Sequence, residues 1–278
     1  MTSVLGKLSN LVQRVIAAVL GAGVILGGIY YGAWSYFTIF FLISMITQLE
    51  FYKLVGLDGM LPLKTFGTFS GSFIFLISFL VESSTIHEKY YFTIFPVVAC
   101  VYMIYLYRKQ IKKPFRGVAF TFLGIIYVSI PFSLINVMAF HPGKYTGQLI
   151  IGSMLILWAS DTGAYFAGVR FGKRKLFERV SPKKSWEGSL GGFVLAMAMA
   201  FGISKIPFFG LETWQWTTLA LIIVVTGTFG DLVESLFKRS IAIKDSSRLI
   251  PGHGGFLDRF DGLLLAAPFI VAFLKLFE

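Results

Sequence analysis

The sequence predicts an all-α, polytopic integral membrane protein. Three observations carry the prediction: 56% of the 278 residues are apolar and only 14% charged, the mean hydropathy is +0.75, and apolar runs long enough to span a bilayer recur along the chain. Soluble globular chains carry about a quarter charged residues, so a soluble fold is excluded. The same apolar content excludes intrinsic disorder. A disulfide scaffold or thiol metal site is excluded because Cys100 is the only cysteine and sits in an apolar run.

A helix needs roughly 20 mostly apolar residues to cross the hydrocarbon core. The chain accordingly divides into nine spans, at 15–33, 35–52, 66–81, 90–107, 118–138, 149–169, 188–203, 215–236 and 262–277. The first follows Lys7 and Arg14, as a signal peptide would, but no clear small-x-small cleavage site follows it and further spans do, so it is read as a helix. With the N-terminus placed inside, all but Lys89, Lys144, Lys205 and Lys275 of the 25 Lys and Arg fall in inside segments. Basic residues collect on the cytoplasmic side, so the expected topology has a cytoplasmic N-terminus and an outside C-terminus. Topology thereby accounts for the formal net charge of +11, and no nucleic-acid partner is expected.

The two longest loops, 170–187 and 238–261, are both inside and both charged, which places the polar chemistry at the cytoplasmic face. Residues 1–145 read as structural, lipid-facing helices, and 146–278 as the region that carries the chemistry. Gly168 with Gly172, Gly188 with Gly192 and Gly23 with Gly27 read as sites of close helix packing.

Several acids stand where they are costly. Asp231 and Glu234 lie in an apolar run, and an acid near mid-bilayer costs roughly 2.5–3.5 kcal/mol. On a helix Asp231, Glu234, Ser235 and Lys238 form one stripe at i, i+3, i+4 and i+7. Two readings fit: an internal Glu234–Lys238 pair with Asp231 reaching the interface, or a wet cleft holding a metal. Asp258 and Asp261 share i, i+3 spacing where the last span begins; one acid suffices for a helix cap. Two acids with a third from a neighbouring helix make the oxygen-only cluster that Mg²⁺ prefers.

The segment from Lys238 to Asp261 offers bases for phosphate, and Gly252, Gly254 and Gly255 permit tight turns that aim N–H groups at an anion. His253 reads as a structural or phosphate-contacting group. In the other loop, Ser181, Pro182 and Ser185 frame Lys183 and Lys184 in an ordered turn, with Glu187 at the next helix start. Asp161, one turn before Tyr165, is a further acid within a span.

The run from Ser235 to Asp261, S-x-F-K-R-x4-K-D-x-S-x2-I-P-x-H-G-G-x2-D-R-x-D, resembles the defining motif of the phosphatidate cytidylyltransferases, or CDP-diacylglycerol synthases. SPKKSWEG at 181–188 and SDTGAYFAG at 160–168 are similar to that family too, so the likeness covers roughly the C-terminal half. The resemblance implies that CTP and phosphatidic acid give CDP-diacylglycerol and pyrophosphate with Mg²⁺, and that a second cation such as K⁺ accompanies it. It implies metal ligation by Asp231, Asp258 and Asp261, with Lys238 at the reacting phosphates. Lys183, Lys184, Arg239, Lys244, Asp245, His253, Gly254, Gly255 and Arg259 are implied for substrate binding, and Asp161, Ser181, Glu187, Glu234 and Ser235 are further candidates. It also implies a homodimer in a bacterial inner or plasma membrane, with the active site facing the cytoplasm.

The competing expectation is a transporter or flippase for an anionic lipid or nucleotide. Such proteins place polar groups near the midplane on broken helices, often in inverted repeats, whereas here the costly groups cluster toward one face with no evident repeat. A lipid kinase is the other alternative; no P-loop pattern supports it.

Overall fold

The computed structural model describes residues 10–109, 111–243, 246–247 and 254–277. Among these residues ten α-helices follow in chain order: α1 (Asn10–Tyr31), α2 (Ala33–Leu57), α3 (Lys64–Glu82), α4 (Ile94–Leu106), α5 (Pro114–Gly124), α6 (Ile130–Ala139), α7 (Gln148–Phe171), α8 (Trp186–Ser204), α9 (Thr213–Ser240) and α10 (Leu257–Leu276). A π-helical segment, Ile125–Ser129, joins α5 to α6. It ends two residues before Pro131, which has no N–H to continue the regular ladder.

Among the described residues the protein is all-α apart from one hairpin between α7 and α8, in which β1 (Lys175–Phe177) pairs antiparallel with β2 (Ser181–Ser185). The segment expected to form an ordered turn, Ser181–Ser185, is strand β2 instead, and the turn of the hairpin lies at 178–180. Among the described residues, seven helices are long and apolar enough to cross a membrane: Ala33–Leu57, Lys64–Glu82, Glu88–Leu106, Pro114–Ala139, Gln148–Phe171, Trp186–Ser204 and Thr213–Ser240. The spans expected at 15–33 and 262–277 fall on α1 and α10. The apolar part of α1, Ile16–Tyr31, is shorter, and α10 carries Asp258, Arg259, Asp261 and Lys275.

The chain forms two compact units, Met1–Ile130 with Ile243–Arg259, and Pro131–Ala242 with Phe260–Glu278. In the first, Phe37 of α2 packs against Phe75 and Phe79 of α3 with ring centroids 5.9 and 4.5 Å apart. Buried Tyr52 is seated against two glycines: a Cβ at Gly67 or Gly124 would come within 2.3–2.4 Å of its ring or hydroxyl. The hydroxyl donates to the Thr121 carbonyl at 2.7 Å, and Gln48 Nε2 donates to the Gly67 carbonyl at 3.0 Å. Such bonds substitute for water that the hydrocarbon cannot supply. Among the described residues, a Cβ at Gly23 or Gly27 of α1 would meet nothing within 4 Å.

In the second unit small residues let α7 and α8 lie backbone to backbone. A Cβ at Gly163 would stand 2.5 Å from the Gly191 carbonyl, and one at Gly192 would stand 2.7 Å from the Ser160 carbonyl. One at Gly188 would stand 3.3 Å from Gly168 Cα. These pairings descend one helix as they climb the other, the antiparallel register that the connecting hairpin requires. Helices α9 and α10 cross in the same way at Gly227, Gly230 and Gly262: a Cβ at Gly230 would lie 2.4 Å from the Asp261 carbonyl oxygen.

Candidate functional site

The crossing of α9 and α10 sets the first polar group. Because Gly230 and Gly262 carry no side chains there, Asp231 and Asp261, their immediate neighbours in sequence, are drawn together from two helices. Glu234 joins them from the next turn of α9, and one ligand atom from each of the three acids lies within 4.8 Å of the others. Glu234 is only 1% exposed. At an effective dielectric constant of 20, two unit charges at that separation repel by roughly 3 kcal/mol, so the trio needs positive charge nearby.

Two lysines supply part of it. Lys238 Nζ pairs with Glu234 Oε2 at 2.5 Å, one turn along α9. This is the internal pair that the sequence offered as one of two readings. Asp231 is paired as well. Lys184 Nζ, from β2, lies 2.6 Å from Asp231 Oδ2 and donates to the Thr228 carbonyl at 3.4 Å. Ser235 Oγ donates to Asp231 Oδ1 at 3.2 Å, closing the expected stripe. Asp161 and Lys238 are both near enough for their charges to act on Asp261, whose Oδ1 accepts from the Gly262 N–H at 2.8 Å.

Strand geometry separates the two loop lysines, since successive side chains point to opposite faces. Lys184 reaches the acids while Lys183 is exposed. Ser181 opens β2. Ser185 caps α8 by accepting from the Gly188 N–H at 3.1 Å. Glu187 accepts from the backbone N–H groups of Lys173 at 3.0 Å and Arg174 at 3.2 Å, so its carboxylate holds the hairpin that delivers Lys184. Arg239, near the end of α9, is exposed.

The second polar group belongs to the first unit and contains Asp258. Its Oδ2 accepts from the Ser246 N–H at 3.0 Å, Ser246 Oγ at 2.8 Å and the Gly255 N–H at 2.8 Å. The glycine turn thus does aim an N–H at an anion, and the anion is the Asp258 carboxylate. Gly254 has a φ of +81°, where L side chains are strained, and a Cβ there would come 2.4 Å from Asp258 Oδ2. Arg259 is exposed. Lys244, Asp245 and His253 lie outside the described residues.

The members of the expected trio of Asp231, Asp258 and Asp261 fall in both units. Asp231 and Asp261 come together with Glu234, while Asp258 lies in the other unit, in a hydrogen-bonded turn. The Asp231, Glu234 and Asp261 group offers only oxygen ligands, with three carboxylates against two ammonium groups, and so fits a hard divalent cation.

Sequence reasoning missed Glu50. It lies on α2, 4% exposed, and accepts from Ser247 Oγ at 2.6 Å and from the Leu257 N–H at 3.0 Å. The signal was present, since an acid within the span 35–52 is as costly there as Asp231 is in its own.

The profile of the Cytidylyltransferase family matches residues 12–277. A protein of Bacillus subtilis named phosphatidate cytidylyltransferase is 31% identical over 279 residues, covering 96% of this chain and 98% of that protein. One of the same name from Haemophilus influenzae is 40% identical over 167 residues, 58% of each chain. Another, from Staphylococcus haemolyticus, is 35% identical over 171 residues, 61% of this chain and 64% of that one. In the last two matches the chain spans about three-fifths of the relative's length.

Proposed function

Because the chain belongs to the cytidylyltransferase family, we propose that it is a phosphatidate cytidylyltransferase, converting CTP and phosphatidic acid to CDP-diacylglycerol and pyrophosphate. The observation that carries the reading is the oxygen-only group of Asp231, Glu234 and Asp261, bracketed by Lys184 and Lys238. A nucleotidyl transfer needs a site of this kind: acids for a divalent cation and bases for phosphate, on a helix apolar enough to lie among lipid tails.

The lipid phosphate is largely ionised near neutral pH and needs no strong base, so the protein's work is to position charge. A phosphatidate oxygen attacks the α-phosphorus of CTP in line, the bond to the bridging oxygen breaks, and pyrophosphate leaves with the electron pair. Lys184 and Lys238 are the bases placed to stabilise charge on the phosphoryl oxygens. Lys183, Arg239, Lys244, Asp245, His253, Gly254, Gly255 and Arg259 form the wider substrate-binding set, with Asp161, Ser181 and Ser235 beside it.

Asp231, Glu234 and Asp261 would hold Mg²⁺, which when bound neutralises the triphosphate and polarises the reacting phosphoryl group. Asp258, one turn before Asp261 on α10, is a further ligand in this proposal. The three hydrogen bonds to its Oδ2 orient the carboxylate, as outer contacts orient metal ligands generally. A second cation such as K⁺ accompanies the magnesium.

The basic-residue asymmetry supports nine crossings, an N-terminus inside, a C-terminus outside and a cytoplasmic site, where soluble CTP meets a lipid that stays in the bilayer. The proposal places the protein in a bacterial inner or plasma membrane as a homodimer, residues 1–145 supplying structural and dimerisation helices and 146–278 most of the chemistry.

The test uses protein purified in detergent, with CTP, phosphatidic acid and Mg²⁺, followed for pyrophosphate release, and ATP, GTP and UTP as controls. The expected result is release that requires both CTP and phosphatidic acid. Release independent of the lipid, or none, refutes the proposal, and the second result would return weight to a transporter.

A further inference from the structure

We infer that Glu50 of α2 is a positioning residue for the motif segment between α9 and α10, a role that rests on the cytidylyltransferase reading above. An anionic side chain within an apolar membrane helix persists only where partners satisfy it. Among the described residues, the donors that reach Glu50 come from one place far along the chain. Ser247 Oγ donates to Oε1 at 2.6 Å, the Leu257 N–H to Oε2 at 3.0 Å, and Ser246 Oγ lies 3.4 Å from Oε2. Leu257 is the first residue of α10, and its N–H has no partner within its own helix. Glu50 therefore caps α10 from a different helix.

The same contacts lead to Asp258. Ser246, next in sequence to the Ser247 that donates to Glu50, donates both its N–H and its hydroxyl to Asp258 Oδ2, so two adjacent serines link the buried acid of α2 to the motif carboxylate. Gly255 shows how closely the turn is seated: a Cβ there would lie 2.4 Å from Glu50 Oε2 and 2.1 Å from Ser246 Oγ. Glu50 acts through Ser246 and the turn on Asp258, and its effect on catalysis is indirect.

The chemistry of the partners makes this separable from a role for the charge itself. Serine hydroxyls donate or accept. A glutamine can therefore accept the Leu257 N–H through its oxygen and donate to Ser247 Oγ through its amide, keeping the tether without the charge. The experiment compares wild type, Glu50→Gln and Glu50→Ala, each full length and purified in detergent. It measures kcat and KM for CTP and, separately, the rate of tryptic cleavage within 238–259.

Glu50→Gln is expected within threefold of wild type in both. Glu50→Ala is expected to lose at least twentyfold in kcat/KM and to be cut at least tenfold faster. If Glu50→Ala does not fold, the Ser246→Ala/Ser247→Ala variant, which removes the Ser247 donor to Glu50 and the Ser246 hydroxyl donor to Asp258, is expected to show the same faster cleavage. Cleavage in the alanine variants within twofold of wild type overturns the inference, as does Glu50→Gln proving as impaired as Glu50→Ala. If wild type releases no pyrophosphate from CTP, the activity reading fails, while the cleavage rates still decide the tether.

Discussion

Replacing Gly230 with alanine tests the α9–α10 crossing as the device that assembles the acids. The new Cβ would stand 2.4 Å from the Asp261 carbonyl oxygen and 3.0 Å from both the Asp261 carbonyl carbon and Gly262 Cα. All three are backbone atoms, so no side chain can swing aside. Ordinary van der Waals contact begins near 3.4 Å, and the helices must therefore separate locally by about 1 Å. Overpacking of this kind costs about 1–3 kcal/mol of stability. The same displacement widens the gap between Asp231 and Asp261, and a misplacement of about 1 Å can lower turnover by about 10²-fold.

The assay is CTP-dependent pyrophosphate release as a function of Mg²⁺ concentration, with thermal unfolding measured in parallel. We expect kcat/KM to fall by at least tenfold and the Mg²⁺ needed for half-maximal rate to rise. Gly202→Ala, in α8, where an added Cβ meets nothing within 4 Å, serves as the control and should stay within twofold of wild type. If Gly230→Ala matched that control in rate and Mg²⁺ dependence, the crossing would not be what assembles the site.

Two other perturbations probe the charges. Lys184→Met removes the partner of Asp231, and loss of a charged hydrogen bond of about 1.5–3 kcal/mol corresponds to a fall in kcat/KM of about 10- to 100-fold. Steady-state kinetics with CTP varied measures it, and a change of less than threefold would refute this role for Lys184. Asp261→Asn keeps the side chain's shape but weakens it as a ligand for a hard cation. It should still purify as folded protein by gel filtration while losing at least 10²-fold in turnover, with part of the rate returning at higher Mg²⁺.

Membrane character, the approximate positions of the helices and the stripe of Asp231, Glu234, Ser235 and Lys238 were all legible in the sequence. Each depends only on residues close together in the chain: hydropathy over about twenty positions, or the repeat that stacks i, i+3 and i+4 on one helix face. The Glu234–Lys238 pair is of this kind, and so is the turn made by Gly254 and Gly255. The tertiary structure decided which acid joins which. Asp261 meets Asp231 because Gly227, Gly230 and Gly262 let two backbones touch, and a glycine in a sequence does not declare which helix it will face.

Lys184 rather than Lys183 reaches Asp231 because a hairpin formed and set the strand's facing. Glu50 lies 196 residues from Ser246 and 207 from Leu257, a separation across which no local pattern carries information. Its cost in the bilayer was readable from its neighbours, but its partners were not. Burial penalties are properties of a segment, whereas the groups that relieve them are chosen by packing between segments.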